Sequence, residues 1–154
     1  MVESGEAGEK LVATNRKARH EFFILDTLEA GIVLKGTEVK SLREGKANVS
    51  ESYAHIRNDE VWLAGMHISP YKQGSFANVD PLRERKLLLH KREIAKLAAK
   101  TLQKGFTLIP LKLYFKKNVA KVQIGVAQGK KAHDQRHDIA RRESEREIRR
   151  KYAR

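Results

Sequence analysis

The sequence predicts a mainly β fold with inserted α-helices: a small closed antiparallel β-barrel of the oligonucleotide-binding (OB) type, with about six strands and two to three helices, plus a basic C-terminal tail. Three observations predict it. Alternation of apolar and polar residues dominates the middle of the chain. Two turn signals, Asn58-Asp59 and Lys116-Lys117-Asn118, separate such segments as hairpins. A length of 154 residues with 40% hydrophobic positions suits one domain with something left over.

The elements follow in order. Residues 1–14, rich in Gly, Glu and Ser, read as a flexible N-terminus. His20 to Leu25 and Ala30 to Leu34 are two strand-like segments. A short helix is expected from Thr37 as N-cap to Glu44, closed by Gly45. Tyr53 to Arg57 and Val61 to Ile68 flank the Asn58-Asp59 turn as a hairpin. Ile94, Leu97, Ala98, Thr101 and Leu102 recur at helical spacing before a Gly105 stop, an amphipathic helix of about three turns. In Phe106 to Phe115 the apolar phase changes around Pro110, from Phe106 and Leu108 to Leu111, Leu113 and Phe115, which a β-bulge reconciles. After the Lys116-Lys117-Asn118 turn, Ala120, Val122, Ile124 and Val126 alternate with Lys121, Gln123 and Gly125, the cleanest strand of the chain. Residues 15–128 thus form the barrel, and residues 129–154 stand apart.

Lys plus Arg number 32 against 19 Asp plus Glu, a net +13, so a polyanion is the first partner to consider. Zero cysteines exclude disulfides, thiolate zinc sites, iron–sulfur clusters and a cysteine nucleophile. The first twenty residues carry charge throughout, and no apolar run reaches membrane-span length, so the reading is a soluble cytoplasmic protein without a membrane partner. Residues 129–154 hold ten Lys/Arg against five Asp/Glu, and their only larger apolar side chains are Ile139, Ile148 and Tyr152. That is too few for a core face, so the tail is expected to be disordered when free. Acid-then-base pairs at i,i+4 (Asp138 with Arg142, Glu145 with Arg149, Glu147 with Lys151) suit a helix when bound, about 33 Å long over residues 133–154.

Catalytic and metal readings are weak. His133 and His137 share a helix face beside Asp134 but lack a clear third ligand. The segment from Gly125 to Lys131 has three residues between its glycines where a phosphate loop has four, and Lys where Ser or Thr must hold magnesium. No nucleophile elbow is present, and Glu29, Glu38, Asp59 and Asp80 each have an ordinary role as turn, cap or surface residue. The chain is therefore read as no enzyme, with no cofactor and no metal. The basic clusters carry more: Asn15-Arg16-Lys17-Ala18-Arg19-His20, Arg83-Glu84-Arg85-Lys86, His90-Lys91-Arg92 and Lys130-Lys131 sit at element ends where long cations reach phosphates. Tyr53, Tyr71 and Phe76 lie among polar residues, as base-stacking rings do. Taken singly, each of these residues is better explained by a solvated basic face or a core aromatic; the set, at this net charge, favours nucleic-acid binding.

The strings Asn15 to His20, Glu29-Ala-Gly31, Gly36 to Arg43, Glu44 to Asn48, Asp80-Pro81, Arg85 to His90 and Gly125 to Lys131 resemble the SmpB family of bacterial SsrA-binding proteins in order and spacing. The resemblance implies an RNA-binding adaptor. It would bind the tRNA-like domain of transfer-messenger RNA (tmRNA, SsrA) and deliver it to stalled 70S ribosomes for trans-translation, meeting elongation factor Tu only through the charged RNA. It also implies an RNA surface that includes Glu29, Leu88 and Lys121, although Leu88 is equally consistent with plain core. With the basic and aromatic positions, the expected RNA-binding set is Asn15, Arg16, Lys17, His20, Glu29, Glu38, Lys40, Tyr53, Arg83, Arg85, Lys86, Leu88, His90 and Lys121.

For the tail, the resemblance implies a helix that starts at the decoding centre and runs into the empty mRNA channel of the small subunit rRNA. The expected contacts are Lys130, Lys131, His133, Asp134, Gln135, Arg136, Arg141, Arg142, Arg146, Ile148, Arg149 and Arg150. Gln135 stands where the family string has lysine. A rival of another class is a ribosome-associated structural or assembly protein that binds rRNA with no role for tmRNA. A weaker one is an RNA-processing enzyme with an unrecognised carboxylate site.

Overall fold

The structure, a computed structural model, describes residues 8–74, 77–103, 105–130 and 135–152, with side chains described outside 135–141. The strands are β1 (Glu9–Thr14), β2 (Phe22–Ile32), β3 (Ala47–Asn48), β4 (Tyr53–Arg57), β5 (Glu60–Ala64), β6 (His67–Ile68), β7 (Arg85–Leu88), β8 (Phe106–Lys116) and β9 (Val119–Gly129). The helices are α1 (Ala18–Glu21), α2 (Gly36–Arg43), α3 (Lys91–Thr101) and α4 (Gln135–Lys151). The main sheet runs β1-β8-β4-β5-β7-β2-β9, and β8 also pairs with β9. Six strands therefore close into an antiparallel ring, OB-like in form, with β1 added outside it on β8. No described helix is long and apolar enough to cross a membrane.

Local chemistry explains the closure. Asn58, Asp59, Lys117 and Asn118 all have positive φ, between 51° and 65°, the geometry of two-residue hairpin turns whose twist matches the strands they join. The β8–β9 register slips between Pro110 and Lys112, so Leu111 is the extra residue of a bulge where the sequence phase changes. A Cβ on Gly125 would stand 3.1 Å from the Leu111 side chain, so glycine opposite the bulge makes room for it. Asn15 completes the repair. Its N–H donates to the Leu111 carbonyl at 2.8 Å and its side-chain amide to the Pro110 carbonyl at 2.9 Å.

The core fills the ring with Ile56, Val61, Leu63, Leu87, Leu108, Leu113, Val122, Ile124 and others, and α3 closes one side with buried Ile94, Leu97, Ala98 and Thr101. Each large aliphatic so buried contributes about 1.5–3 kcal/mol.

Several expectations are corrected. β2 is one continuous strand where two segments were read; the residues between them, Asp26 to Glu29, pair with β9 without a break, Asp26 facing Lys100 of α3 and Glu29 the opposite side. β1 pairs with β8 within the supposed flexible N-terminus. Lys35, not Thr37, is the N-cap of α2, because the Glu38 carboxylate reaches back to accept from the Lys35 N–H at 2.8 Å. The Val61 to Ile68 segment breaks at Gly65, whose φ of +79° ends β5. β7 went unread because its first two residues, Arg85 and Lys86, are basic and only two leucines follow within it.

The tail carries the last helix. α4 lies against β4 and α3 with Ile148 only 1% exposed, inside the main core cluster. One isoleucine suffices because the neighbouring elements provide the rest of the apolar wall.

Candidate nucleic-acid interface

Cross-strand partners share a face of a sheet, so the register places the residues of this surface. β2 lies between β7 and β9, with Gly31 opposite both Leu88 and Lys121, and Lys121 opposite Tyr114 of β8. Leu88, Gly31, Lys121 and Tyr114 thus form one row across four strands on the outer face, in which Tyr114 is itself buried at 3% exposure. Glu29, two residues before Gly31, stands on the same face one step along.

The row has defined geometry. Leu88 is 52% exposed, which rules out the core reading, and its side chain leans over Gly31, where a Cβ would meet the Leu88 Cβ at 3.2 Å. The Tyr114 hydroxyl donates to Glu29 Oε2 at 2.6 Å, and Lys116 Nζ donates to the same oxygen at 3.5 Å. Tyr114 donation holds the Glu29 carboxyl below its ordinary range; partial burial opposes this, and the charges of Lys116 and Lys121 add to it. Among the described residues Oε1 has no protein partner. An ionised, oriented carboxylate beside two lysines and an exposed leucine accepts one hydrogen bond, attracts phosphate and covers an apolar ring face.

A comparison with known proteins now bears on this surface. A model of the SmpB protein family matches residues 12–154. The chain belongs to the SmpB family. It is 62% identical over 140 residues to the SsrA-binding protein of Desulforudis audaxviator, covering 91% of this chain and 92% of the relative. It is 60% identical over 142 residues to that of Ruminiclostridium cellulolyticum, covering 92% of each. A solved structure described as "tmRNA-SmpB: a journey to the center of the bacterial ribosome" matches with TM-score 0.66 and 52% identity, covering 88% of this chain and 92% of that one.

In this SmpB-family chain the other expected positions divide. Glu29, Leu88 and Lys121 come together in the row, and Lys86 shares its face while paired with Glu60. Arg16 and His20 are exposed around α1, and Lys17 pairs with Glu51 at 3.1 Å. Lys130 joins that end, its Nζ donating to the Arg19 carbonyl at 3.0 Å and standing 4.7 Å from the exposed Phe23 ring. Lys40 stands away from the row, 5.4 Å over the Tyr71 ring, and Tyr53 is half-buried beside His55. His90 is exposed at the N-cap of α3, where its N–H donates to Glu93 at 2.9 Å.

Four expected RNA contacts are corrected to internal roles. Arg85 is fully buried; its Nε donates to Glu38 Oε2 at 2.7 Å, and its remaining nitrogens donate to the Met66 and Pro81 carbonyls. Glu38 is 3% exposed; burial pushes its carboxyl up, but donation from Arg83, the Lys35 N–H and Arg85 outweighs this and holds it below the ordinary range. Arg83 is half-buried, its guanidinium 2.5 Å from Glu38. Asn15 is buried and spent on the β8 bulge. Their long or polar side chains imitate surface residues in a sequence, yet each has backbone or ionic partners inside the fold.

Tyr114, by contrast, went unread. Its signal was an alternate-position tyrosine between Leu113 and Phe115, out of phase with the apolar run. Phe76, Lys131, His133 and Asp134 lie outside the described residues, as do the side chains of Gln135, Arg136, His137 and Arg141. Among the described residues no cluster of three potential metal ligands is present.

Proposed function

We propose that this protein binds the tRNA-like domain of tmRNA and delivers it to stalled ribosomes, as the names of its relatives and of its structural neighbour suggest. It acts as an adaptor in the cytoplasm and makes or breaks no covalent bond. The observation that carries the reading is the outward row of Leu88, Gly31, Lys121 and Tyr114 with Glu29 beside it, in a chain of this family. Lys121 takes a backbone phosphate, Leu88 packs on a ribose or base, and Glu29 Oε1 accepts from a base amino group or a 2′-hydroxyl. Residues 15–128 supply this binding. Residues 129–154 meet the small subunit, with Arg142, Arg146, Arg149 and Arg150 toward phosphates of the decoding centre and mRNA channel.

The test is to purify the protein from cells at moderate salt and sequence its bound RNA. One dominant structured species, tmRNA, is expected. A diffuse set of rRNA fragments without it would overturn the reading in favour of the assembly-protein rival.

A further inference from the structure

A second row runs beside the first on the same outer face. Thr14 of β1, Lys112 of β8, Gln123 of β9 and Glu29 of β2 are successive cross-strand partners, one step along from Tyr114, Lys121 and Gly31. Gln123 points outward, because Val122 and Ile124 on either side of it are buried at 0% exposure. It is half-buried itself, and its side-chain amide meets no protein group among the described residues. Its neighbours are engaged. Lys112 Nζ lies 3.6 Å from Glu9 and 4.9 Å from the Tyr114 ring, and Glu29 Oε2 accepts from Tyr114 and Lys116. Two adjacent groups of the row thus face outward without a partner, the Gln123 amide and Glu29 Oε1.

We propose that Gln123 is a base-reading residue, which together with Glu29 selects an unpaired guanine of the bound RNA. The inference rests on the RNA-binding role proposed above and adds to it the base that this part of the surface takes. Glutamate and glutamine have the same length, and cross-strand partners hold their Cβ atoms about 4.5–5.5 Å apart, so the carboxylate and the amide end side by side at about that spacing. The two outer groups of a base's Watson–Crick edge are similarly spaced, and that edge is open only where the base is unpaired. In guanine and in cytosine these groups are an amino group and a carbonyl, in adenine an amino group and a C–H, in uracil two carbonyls.

Tyr114 donation and the nearby lysines keep Glu29 ionised, so it only accepts and takes the amino group, while the Gln123 amide donates to the carbonyl. Uracil is rejected, since it sets a carbonyl against the carboxylate, and adenine makes one bond of the two. The middle of the edge separates the remaining pair. Guanine has an N–H there, which the anion attracts, and cytosine a lone pair, which it repels. A neutral amide suits the position because it forms no ion pair with Glu29 and leaves Oε1 open.

Titration of the full chain with the tRNA-like RNA and with an unrelated hairpin tests this. Gln123→Leu, which keeps the size and removes the amide, should weaken binding of the tRNA-like RNA about fivefold and leave the hairpin unchanged. Gln123→Glu, which sets a second acceptor against the carbonyl, should weaken the tRNA-like RNA about tenfold more than it weakens the hairpin. Thermal unfolding identifies a variant that has lost structure, and the one that folds decides. Replacing the unpaired guanines one at a time should reveal one position with a crossed pattern. There inosine, which lacks the amino group, should cost affinity in wild type but not in Glu29→Ala, and the cost of 2-aminopurine, which lacks the carbonyl and the ring N–H, should fall in Gln123→Leu. A Gln123→Leu chain that binds like wild type, an equal loss on both RNAs, or no guanine with this pattern would overturn the proposal. Short single strands separate it from the proposed function. A uridine nonamer with one central guanine should shift the Gln123 side-chain amide resonances more than the all-uridine strand does. If it does so while the tRNA-like RNA binds no better than the hairpin, the tmRNA reading fails and the guanine reader stands; if the two strands act alike, the reader fails.

Discussion

Two carboxylates of this chain meet two basic or hydroxylic partners each, and burial gives them different work. Glu38 is enclosed with Arg85 and Arg83, its oxygens 2.7 Å and 2.5 Å from their nitrogens, and it ties α2 to the strand β7. Asp59 meets Lys151 and Tyr152 at the surface, with its side chain 40% exposed, and it ties only the end of α4 to a turn. In the first cluster water cannot replace a lost partner, so removal is costly. In the second it can, so the contact is weak and reversible. Glu29 with Tyr114 and Lys116 lies between them, oriented by the protein but open to a ligand.

Breaking the enclosed cluster should have the largest effect. Glu38→Ala strands Arg85 as a buried unpaired cation and should destabilise the barrel by about 3–5 kcal/mol in urea unfolding. The pH dependence sharpens this. Because the folded carboxyl sits below its unfolded value of about 4.3, its contribution is complete above that pH and is lost as pH falls through the lower folded value. The stability gap between wild type and Glu38→Gln should therefore be constant from neutrality to about pH 4.5 and shrink below it, by urea titration at successive pH values.

At the intermediate cluster, Glu29→Ala should weaken binding of the tRNA-like RNA by about 1–3 kcal/mol. If the surface were merely cationic, removing a negative charge would tighten binding to any RNA, so titration with cognate RNA and an unrelated hairpin decides by sign. Tyr114→Phe leaves Glu29 charged but unaimed, and the same titration should show a loss of about 0.5–1.5 kcal/mol. Smallest of all, Lys151→Gln should change global stability by no more than about 1 kcal/mol, measured by urea unfolding. A larger loss would mean that the two carboxylate clusters do not differ in the way their burial indicates.

The regular parts of the fold were legible because local signals agreed. The β8–β9 hairpin, its turn, the bulge after Pro110 and the apolar face of α3 all declare themselves in period and turn chemistry. What a sequence hides is partnership. Arg85 and Glu38, forty-seven residues apart, read as surface charge until the fold encloses them together. Ile148 reads as a lone apolar residue in a charged helix until β4 and α3 supply its walls. Of the candidate interface, the family resemblance pointed to Glu29, Leu88 and Lys121, while Tyr114 emerged only from the register that sets it across from Lys121.

Closing the ring also settles how this basic chain meets copies of itself. Every strand of the ring has a neighbour on both sides, although β7 covers β2 only at Gly31 and Ile32, and β1, added outside the ring, keeps one whole side open. That edge is six residues long, begins with Glu9 and Lys10, and carries a register break at Val12. Shortness, charge and a bulge are each features that keep a strand edge from templating another. β1 thus offers a second copy little backbone to extend, and at a net charge of +13 two copies repel each other before strand pairing begins.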